Sequence, residues 1–358
     1  MASRDAPGGS RMKPLPNRST PRIRASLAVR EAAEELADSG VPEPEASAEI
    51  LLSELLGIRR GELAFHDVSA ENLRIYSSHI SRRKEREPVQ RILGYAYFRN
   101  LKLFLRNPDP ESGSGSRIAP TAAPEASEDE VSPLRKSAAS REGATHLDME
   151  PRLVFTGLAG SEASTLIPRS DTESVVEAAL GRMDERGYPC RVLDIGTGSG
   201  AIAISIAQER PRCEVHASDV SEAALRVAKR NAEENGVKVE FHLSDIVGGL
   251  ENLAGSFDLL VSNPPYIKSG DIPNLEPEVR DHDPISALDG GPDGLDFYRR
   301  IFAETPPLLK KGADVVLEVG DGQSEAVLEL GRSAGFTPIG VCDDLAGTPR
   351  VVLSRWDG

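Results

Sequence analysis

The stretch 191-RVLDIGTGSGA-201 decides how the chain is read. Arg191 to Ile195 has the pattern of a short buried strand. Gly196, Gly198 and Gly200 then follow at alternate positions before a helical pattern that begins near Ala201. Glycines at such a turn permit positive φ and a close approach of ligand to backbone, while the helix start presents free N–H groups. Downstream the alternation continues, with strands expected at 214–218, 238–242, 257–262, 314–319, 336–341 and 350–355 and helical patterns between the first several. Strands alternating with helices predict an α/β fold, a doubly wound, mostly parallel seven-stranded sheet. Only 342-CDDLAGTP-349 separates the last two strands, too little for a helical crossover, so the last strand should run antiparallel.

The chain has 358 residues, room for about two domains. No run of about 18 apolar residues occurs and no hydrophobic leader follows the start, so a soluble, cytoplasmic protein is expected without a membrane partner. The formal net charge of −15 argues against a nucleic-acid partner, which needs a basic footprint. Cys190, Cys213 and Cys342 lack any CxxC pairing and read as small core residues. His66, His79, His146, His216, His242 and His282 show no metal-ligand spacing, so no metal is expected. We expect a monomer.

Residues 1–25 hold six Lys or Arg against one Asp, with four prolines, and are expected to be a disordered extension; a mitochondrial transit segment is the alternative. From 26 to 87 apolar residues recur at helical spacing, including Leu27, Ala32, Leu36, Ile50, Leu51, Leu55, Leu73, Tyr76 and Ile80, with Gly40 and Gly57 as helix stops. This predicts a small helical domain. Residues 88–107 contain 95-YAYFRNLKLFLRN-107 and read as a hairpin linker. Residues 108–163 are rich in Ser, Pro, Gly, Ala and acid, the composition of a disordered insertion, and 164–358 hold the sheet domain.

The glycine turn alone is ambiguous, because Gly196, Gly198 and Ala201 also satisfy a dinucleotide fingerprint. Asp194 decides the matter. A carboxylate beside the turn repels pyrophosphate but suits an ammonium or sulfonium centre. Asp219 ends the second strand, 19 residues after Gly200, where it can accept from both ribose hydroxyls. Asp245 follows the third strand and is placed to meet an adenine edge. Three carboxylates at successive strand ends, with the glycine turn, point to a nucleoside site.

The fourth strand runs into 262-SNPPY-266. A plain turn would account for the prolines. The chemistry goes further, since the Asn263 side-chain carbonyl and the Pro264 backbone carbonyl are two acceptors suited to an NH2 group. Pro264 and Pro265 stiffen the backbone that aims them, and Tyr266 offers a flat face to the substrate. An amide or nucleobase NH2 is a poor nucleophile, and two placed acceptors can turn its lone pair toward an electrophilic methyl group.

On these residues the chain resembles the class I S-adenosylmethionine-dependent methyltransferases, with Asn263-Pro264-Pro265-Tyr266 similar to the motif of their amino-group methylators. The segments 166-LIPRSDTESVVE-177, 285-ISALDGGPDGLDFYRRI-301 and 343-DDLAGTPRVV-352 resemble, more narrowly, the HemK/PrmC family of release factor glutamine methyltransferases. The helical segment 26–86 and 88-PVQRILGYAYF-98 are similar to that family's N-terminal domain and linker. The resemblance implies S-adenosylmethionine as methyl donor, S-adenosylhomocysteine as product, and the Gly-Gly-Gln glutamine of a class I peptide chain release factor as substrate. It implies that Asp194, Ile195, Gly196, Thr197, Gly198, Gly200, Asp219, Asp245, Ile246 and Asn263 bind the donor. Asn263, Pro264, Pro265 and Tyr266 would bind the glutamine, with Asn263, Pro264 and Tyr266 catalytic. Two residues depart from the pattern: Ser170 stands where a second Pro is usual, and Asp283 where Glu precedes Pro284.

A nucleic-acid amino methyltransferase, acting on N6 of adenine, N4 of cytosine or N2 of guanine, would use the same Asn-Pro-Pro-Tyr logic on a flipped base. The acidic balance and the lack of an evident basic reading domain weigh against it. A non-catalytic binding module leaves the paired acceptors unexplained.

Overall fold

The computed structural model describes residues 22–106, 163–187 and 189–358. The expected insertion at 108–163 lies, apart from Ala163, outside the described residues, as do positions 1–21 of the N-terminal extension. The chain divides after Lys84 into two compact units.

In the first unit a two-residue strand β1 (Ile23–Arg24) leads into helix α1 (Ala25–Asp38), followed by α2 (Pro44–Leu56), strand β2 (Asp67–Val68) and α3 (Ala70–Lys84). β1 pairs antiparallel with β2, and the Ala25 amide donates to the His66 carbonyl at 3.0 Å. Residues 23–25 therefore belong to the helical unit and not to the extension expected over 1–25. Along α1 the buried stripe is Ala25, Ala28, Val29, Ala32 and Leu36, the 3–4 spacing of one helix face. Leu27, expected in the core, lies off that stripe and is 38% exposed. Leu51 and Leu52 of α2 and Tyr76 and Ile80 of α3 complete the core, and the Tyr76 hydroxyl donates to the Ala48 carbonyl at 3.0 Å.

The second unit opens with α4 (Val89–Leu93) and the hairpin β3 (Tyr95–Phe98) and β4 (Leu101–Phe104). After the insertion come α5 (Glu173–Arg186), β5 (Arg191–Ile195), α6 (Ala201–Glu209), β6 (Glu214–Asp219), α7 (Glu222–Glu234), β7 (Glu240–Leu243) and β8 (Phe257–Ser262). The short α8 (Pro277–Arg280), α9 (Asp296–Glu304), β9 (Leu309–Glu318), α10 (Ser324–Ser333), β10 (Phe336–Asp343) and β11 (Pro349–Trp356) follow. Seven strands form one sheet in the order β10-β11-β9-β8-β5-β6-β7. β5 runs parallel to β6 and β8, β6 to β7, and β8 to β9. Only β11 is reversed, antiparallel to both β9 and β10, as the short last connection required.

Alternation along the strands sorts the core into two faces. Val192, Leu259, Val261 and Val316 pack with α5 and α6, whereas Leu193, Ile195, Leu260 and Val315 pack with α9 and α10. Each fully buried Leu, Ile or Val contributes roughly 1.5–3 kcal/mol. That surplus is how the sheet tolerates buried carboxylates at its edge. The connections leave β5 in opposite directions, to β6 on one side and to β8 on the other, which opens a crevice at the carboxyl ends of these strands.

The hairpin is not a free linker between domains. Phe98, Leu101 and Leu103 are buried in the α5/α6 side of the sheet core. The Phe104 amide donates to Asn231 Oδ1 at 2.7 Å, and Asn231 Nδ2 donates to the Phe104 carbonyl at 2.9 Å and to the Ser199 carbonyl at 2.8 Å. Asn231, fully buried on α7, thus joins the hairpin to the glycine turn. Alternating polarity correctly indicated two strands, but not that their apolar face would be covered by α5 and α6. The three cysteines are half-buried instead of core, and parallel pairing of β5 with β6 sets Cys190 Sγ 3.5 Å from Cys213 Sγ.

Candidate functional site

The glycine turn caps β5 and feeds α6. Gly196, Gly198 and Gly200 have φ of 70°, 55° and 85°, the left-handed region that disfavours side chains. A Cβ at Gly200 would stand 2.7 Å from Ile204 Cδ1 and 3.3 Å from Ala228 Cβ, so a side chain there would have to displace the end of Ile204. Asp194 lies beneath it, fully buried. Its Oδ2 accepts from Thr197 Oγ1 at 2.7 Å and from the Ala203 amide at 3.3 Å, while Oδ1 has no partner. Burial pushes this carboxyl up to about 7, against the pull of those two donors. An unpartnered, solvent-free carboxylate oxygen at a ligand crevice is suited to a cation.

Asp219, at the end of β6, accepts from the Gly198 amide at 2.9 Å and the Ser221 amide at 2.9 Å. Burial raises its carboxyl above the ordinary value, offset by the Ser221 and Gly198 amides. Asp219 therefore helps hold the shape of the turn as well as standing beside it. Asp245 is exposed and pairs with Arg300 of α9 at 2.8 Å. Only its Oδ1 is engaged by that arginine. The next residue, Ile246, is buried with φ of 56°, a conformation that turns the chain sharply after β7.

Asn263 follows β8 on the other side of β5, and Ser262 Oγ donates to the Ile195 carbonyl at 2.7 Å, tying the two strand ends together. Asn263 Nδ2 donates to Thr172 Oγ1 at 3.1 Å. Thr172 also helps to hold down the carboxyl of Glu318, at the end of β9. Because Thr172 Oγ1 accepts from Asn263, its own hydroxyl proton is available to that carboxylate when Glu318 is ionised. With Nδ2 engaged, Asn263 Oδ1 accepts no hydrogen bond among the described residues. The Pro264 carbonyl also accepts nothing from the described residues. Burial raises Glu318 to about 7, with Thr172, Arg350 and Tyr266 opposing, and its Oε2 has no partner. The Tyr266 hydroxyl lies 3.5 Å from Glu318 Oε1, and burial pushes this phenol up to about 12.

The turn that carries Thr172 is held from below. Arg169 Nη2 and Arg91 Nη2 donate to the two oxygens of Asp283 at 2.6 and 2.8 Å, and the Asp283 side chain is closed to solvent. Asp283, the shorter carboxylate at that position, still engages both arginines. Ser170 begins the 3-10 turn Ser170–Thr172 that enters α5.

The loop 285–295 packs on the backbone of the Asn-Pro-Pro-Tyr segment. The Gly290 amide donates to the Ile267 carbonyl at 2.8 Å, and Gln323 Nε2 donates to the Tyr266 carbonyl at 2.9 Å. A Cβ at Gly290 would stand 2.8 Å from the Pro265 carbonyl oxygen and 2.8 Å from Tyr266 Cα. Gly290→Ala should accordingly displace the segment, costing on the order of 1–3 kcal/mol of stability and a larger share of turnover. Thermal unfolding and kcat measured on the same preparation check this; an alanine variant of full activity would show that the loop does not position the segment.

The crevice at β5 thus brings together Asp194, Thr197, the glycine turn, Asp219 and Asn263, with Pro264 to Tyr266 beside Glu318. Sequence reasoning missed Thr172, Asn231, Gly290, Glu318 and Gln323. An acid set inside the otherwise apolar stretch 315-VVLEV-319 was the available signal for Glu318; the others act through contacts distant in sequence.

The sheet order with its reversed last strand, and the glycine turn at the switch point, define a class I methyltransferase fold. Residues 177–275 match the methyltransferase small domain, and residues 28–94 match the PrmC N-terminal domain. Among curated relatives, the release factor glutamine methyltransferase of Rhodospirillum rubrum is 34% identical over 322 residues, covering 88% of this chain and 80% of the relative. That of Geobacter sulfurreducens is 34% identical, covering 89% and 92%, and that of Streptomyces coelicolor 36% identical, covering 91% and 96%. The chain belongs to the release factor glutamine methyltransferase family. Among the described residues no helix is long and apolar enough to cross a membrane.

Proposed function

We propose that this protein transfers a methyl group from S-adenosylmethionine to the side-chain amide nitrogen of the Gly-Gly-Gln glutamine in a class I peptide chain release factor. The observation that supports the reading is the pair of acceptors left without partners among the described residues, Asn263 Oδ1, whose Nδ2 is held by Thr172, and the Pro264 carbonyl. A side-chain amide has two N–H protons, and two fixed acceptors take both, setting the plane and direction of the nitrogen.

The donor side fits the same crevice. Asp194 Oδ1 is a buried acceptor without a partner, suited to the ammonium of the methionine moiety, and the glycine turn at 196–200 leaves room beside the backbone. We assign donor binding to Asp194, Ile195, Gly196, Thr197, Gly198, Gly200 and Asp219, with Asp219 facing the ribose. Asp245 and Ile246 take the adenine side, and Asn263 lies between donor and glutamine. When bound, S-adenosylmethionine supplies an electrophilic methyl carbon on a sulfonium sulfur. The chain's own residues hold and orient: Tyr266 packs against the glutamine, and Asn263 and Pro264 polarise its N–H bonds, the displaced proton passing to water once the new N–C bond has formed. We assign recognition of the release factor to the helical unit, because one glutamine side chain offers too little surface for specificity.

The test is to incubate the full chain with labelled methyl donor and, in parallel arms, with a class I release factor, DNA and RNA. One added methyl group on the Gly-Gly-Gln tryptic peptide is the expected result. Label in nucleic acid, with an unmodified release factor, would overturn the reading in favour of a nucleobase methyltransferase.

We infer that ionised Glu318 orients the Thr172 hydroxyl and through it Asn263; burial pushes this carboxyl up to about 7. At saturating donor, kcat should therefore rise as pH climbs through about 7. Glu318→Gln should flatten that limb while leaving the donor Kd near its starting value. An unchanged pH profile in the variant would show that Glu318 does not orient Asn263 through Thr172.

A further inference from the structure

β6 and β7 bring three metal-ligating side chains to one face at the edge of the sheet. Their parallel register sets His216 opposite Glu240 and Ser218 opposite His242, so strand alternation places His216, Glu240 and His242 on the same side. One ligand atom from each lies within 4.8 Å of the others. His216 Nδ1 faces His242 Nε2 at 2.9 Å, and Glu240 Oε2 stands 3.7 Å from the same His216 nitrogen. The sequence shows no metal-ligand spacing because these three residues meet only across paired strands.

The bonding around His216 orients it as a ligand. Its Nε2 lies 3.0 Å from Glu214 Oε1, and Glu214 also pairs with Arg191. An ionised carboxylate only accepts, so Nε2 carries the proton and Nδ1 presents a lone pair. A carboxylate behind an imidazole is the arrangement that fixes the tautomer of metal-bound histidines. Phe257 packs edge-on against the ring with centroids 5.2 Å apart, and His216 is 1% exposed. The open side faces solvent: β7 is the outermost strand, and the Glu240 side chain is 48% exposed.

Two imidazoles and a carboxylate, with water in the fourth position, are a zinc-type donor set. Bonds of about 2.0–2.1 Å place tetrahedral ligand atoms about 3.3 Å apart. The 2.9 and 3.7 Å separations lie on either side of that spacing, so rotation of the half-exposed His242 and Glu240 side chains completes the site. We propose that His216, His242 and Glu240 bind one divalent ion of the zinc class, with Glu214 holding His216 from behind. The ion would clamp β7 to β6, the strand that ends at Asp219. This site is independent of the methyl-transfer reading and stands or falls separately.

Full-length, tag-free, chelator-treated protein titrated with zinc against a chromophoric chelator should bind one ion per chain and melt at a higher temperature with the metal. Glu214→Gln should weaken binding about 10-fold to 100-fold, and His242→Ala should weaken it further. His216→Ala removes a buried ring that packs on Phe257, and so risks the fold. His242→Ala and Glu240→Ala lie at the edge and keep the test sharp. Cobalt substitution should give visible bands of a tetrahedral nitrogen–oxygen site without thiolate charge transfer. Three results would each overturn the proposal: no zinc retained from a stoichiometric mixture, undiminished binding in His242→Ala, or a charge-transfer band abolished by Cys213→Ser, which would move the ion to Cys190 and Cys213.

Discussion

Asn263→Ala is expected to lower kcat about 10²-fold to 10³-fold, the usual cost of removing one positioned hydrogen-bonding group, while the donor Kd stays within a few fold of its starting value. The split follows from where the side chain sits. Its Nδ2 is already committed to Thr172, so truncation removes one of the two acceptors assigned to the substrate amide and leaves Asp194 and the glycine turn untouched. Single-turnover kinetics at saturating donor, paired with equilibrium donor binding, separate the two effects. Near-normal kcat would sink the paired-acceptor mechanism. Thr172→Val should act in the same direction but more weakly, because Asn263 then keeps its acceptor and loses only its orientation.

Asp194→Asn should stabilise the protein without ligand and abolish tight donor binding. Burial lifts this carboxyl to about 7, whereas in the unfolded chain it titrates at the ordinary value of about 4. Between those values the folded protein holds a proton that the unfolded chain has released. The contribution to stability is therefore greatest below about 4 and is lost as pH rises toward about 7. Asparagine does not titrate. The stability advantage of the variant should be absent at pH below about 4, grow through the window, and level off above about 7 at on the order of 2–4 kcal/mol. Donor Kd should rise by about 10²-fold or more, because the donor's ammonium is then buried without its counter-charge. Urea unfolding at several pH values, with donor binding at neutral pH, tests both halves. A destabilised variant at neutral pH would mean that the two donors to Oδ2 outweigh desolvation of the carboxylate.

Both predictions concern residues visible in the sequence, and both depend on partners that were not. Asp194 and Asn263 stand at strand ends beside a glycine turn and a proline pair, where backbone preference and side-chain chemistry are local properties. The hidden partner of Asn263 is Thr172, more than ninety residues earlier in the chain. The same division holds for the hairpin: alternation at 95–104 announced two strands, while the decision to bury Phe98, Leu101 and Leu103 under α5 and α6 belonged to the packed sheet.

The sequence by itself determined the strand and helix alternation, the reversed last strand, the glycine turn with its three carboxylates, and the Asn-Pro-Pro-Tyr segment. Periodicity, turn chemistry and connection length act over a few residues and need no distant partner to be read. Only the tertiary structure decided which oxygen of Asp194 is left unpaired, which way Asn263 points, how Gly290 props Tyr266, and that His216, Glu240 and His242 meet. Those features arise from strand register and sheet order, which bring residues far apart in the chain within hydrogen-bonding distance, and burial then sets the charge that each one carries.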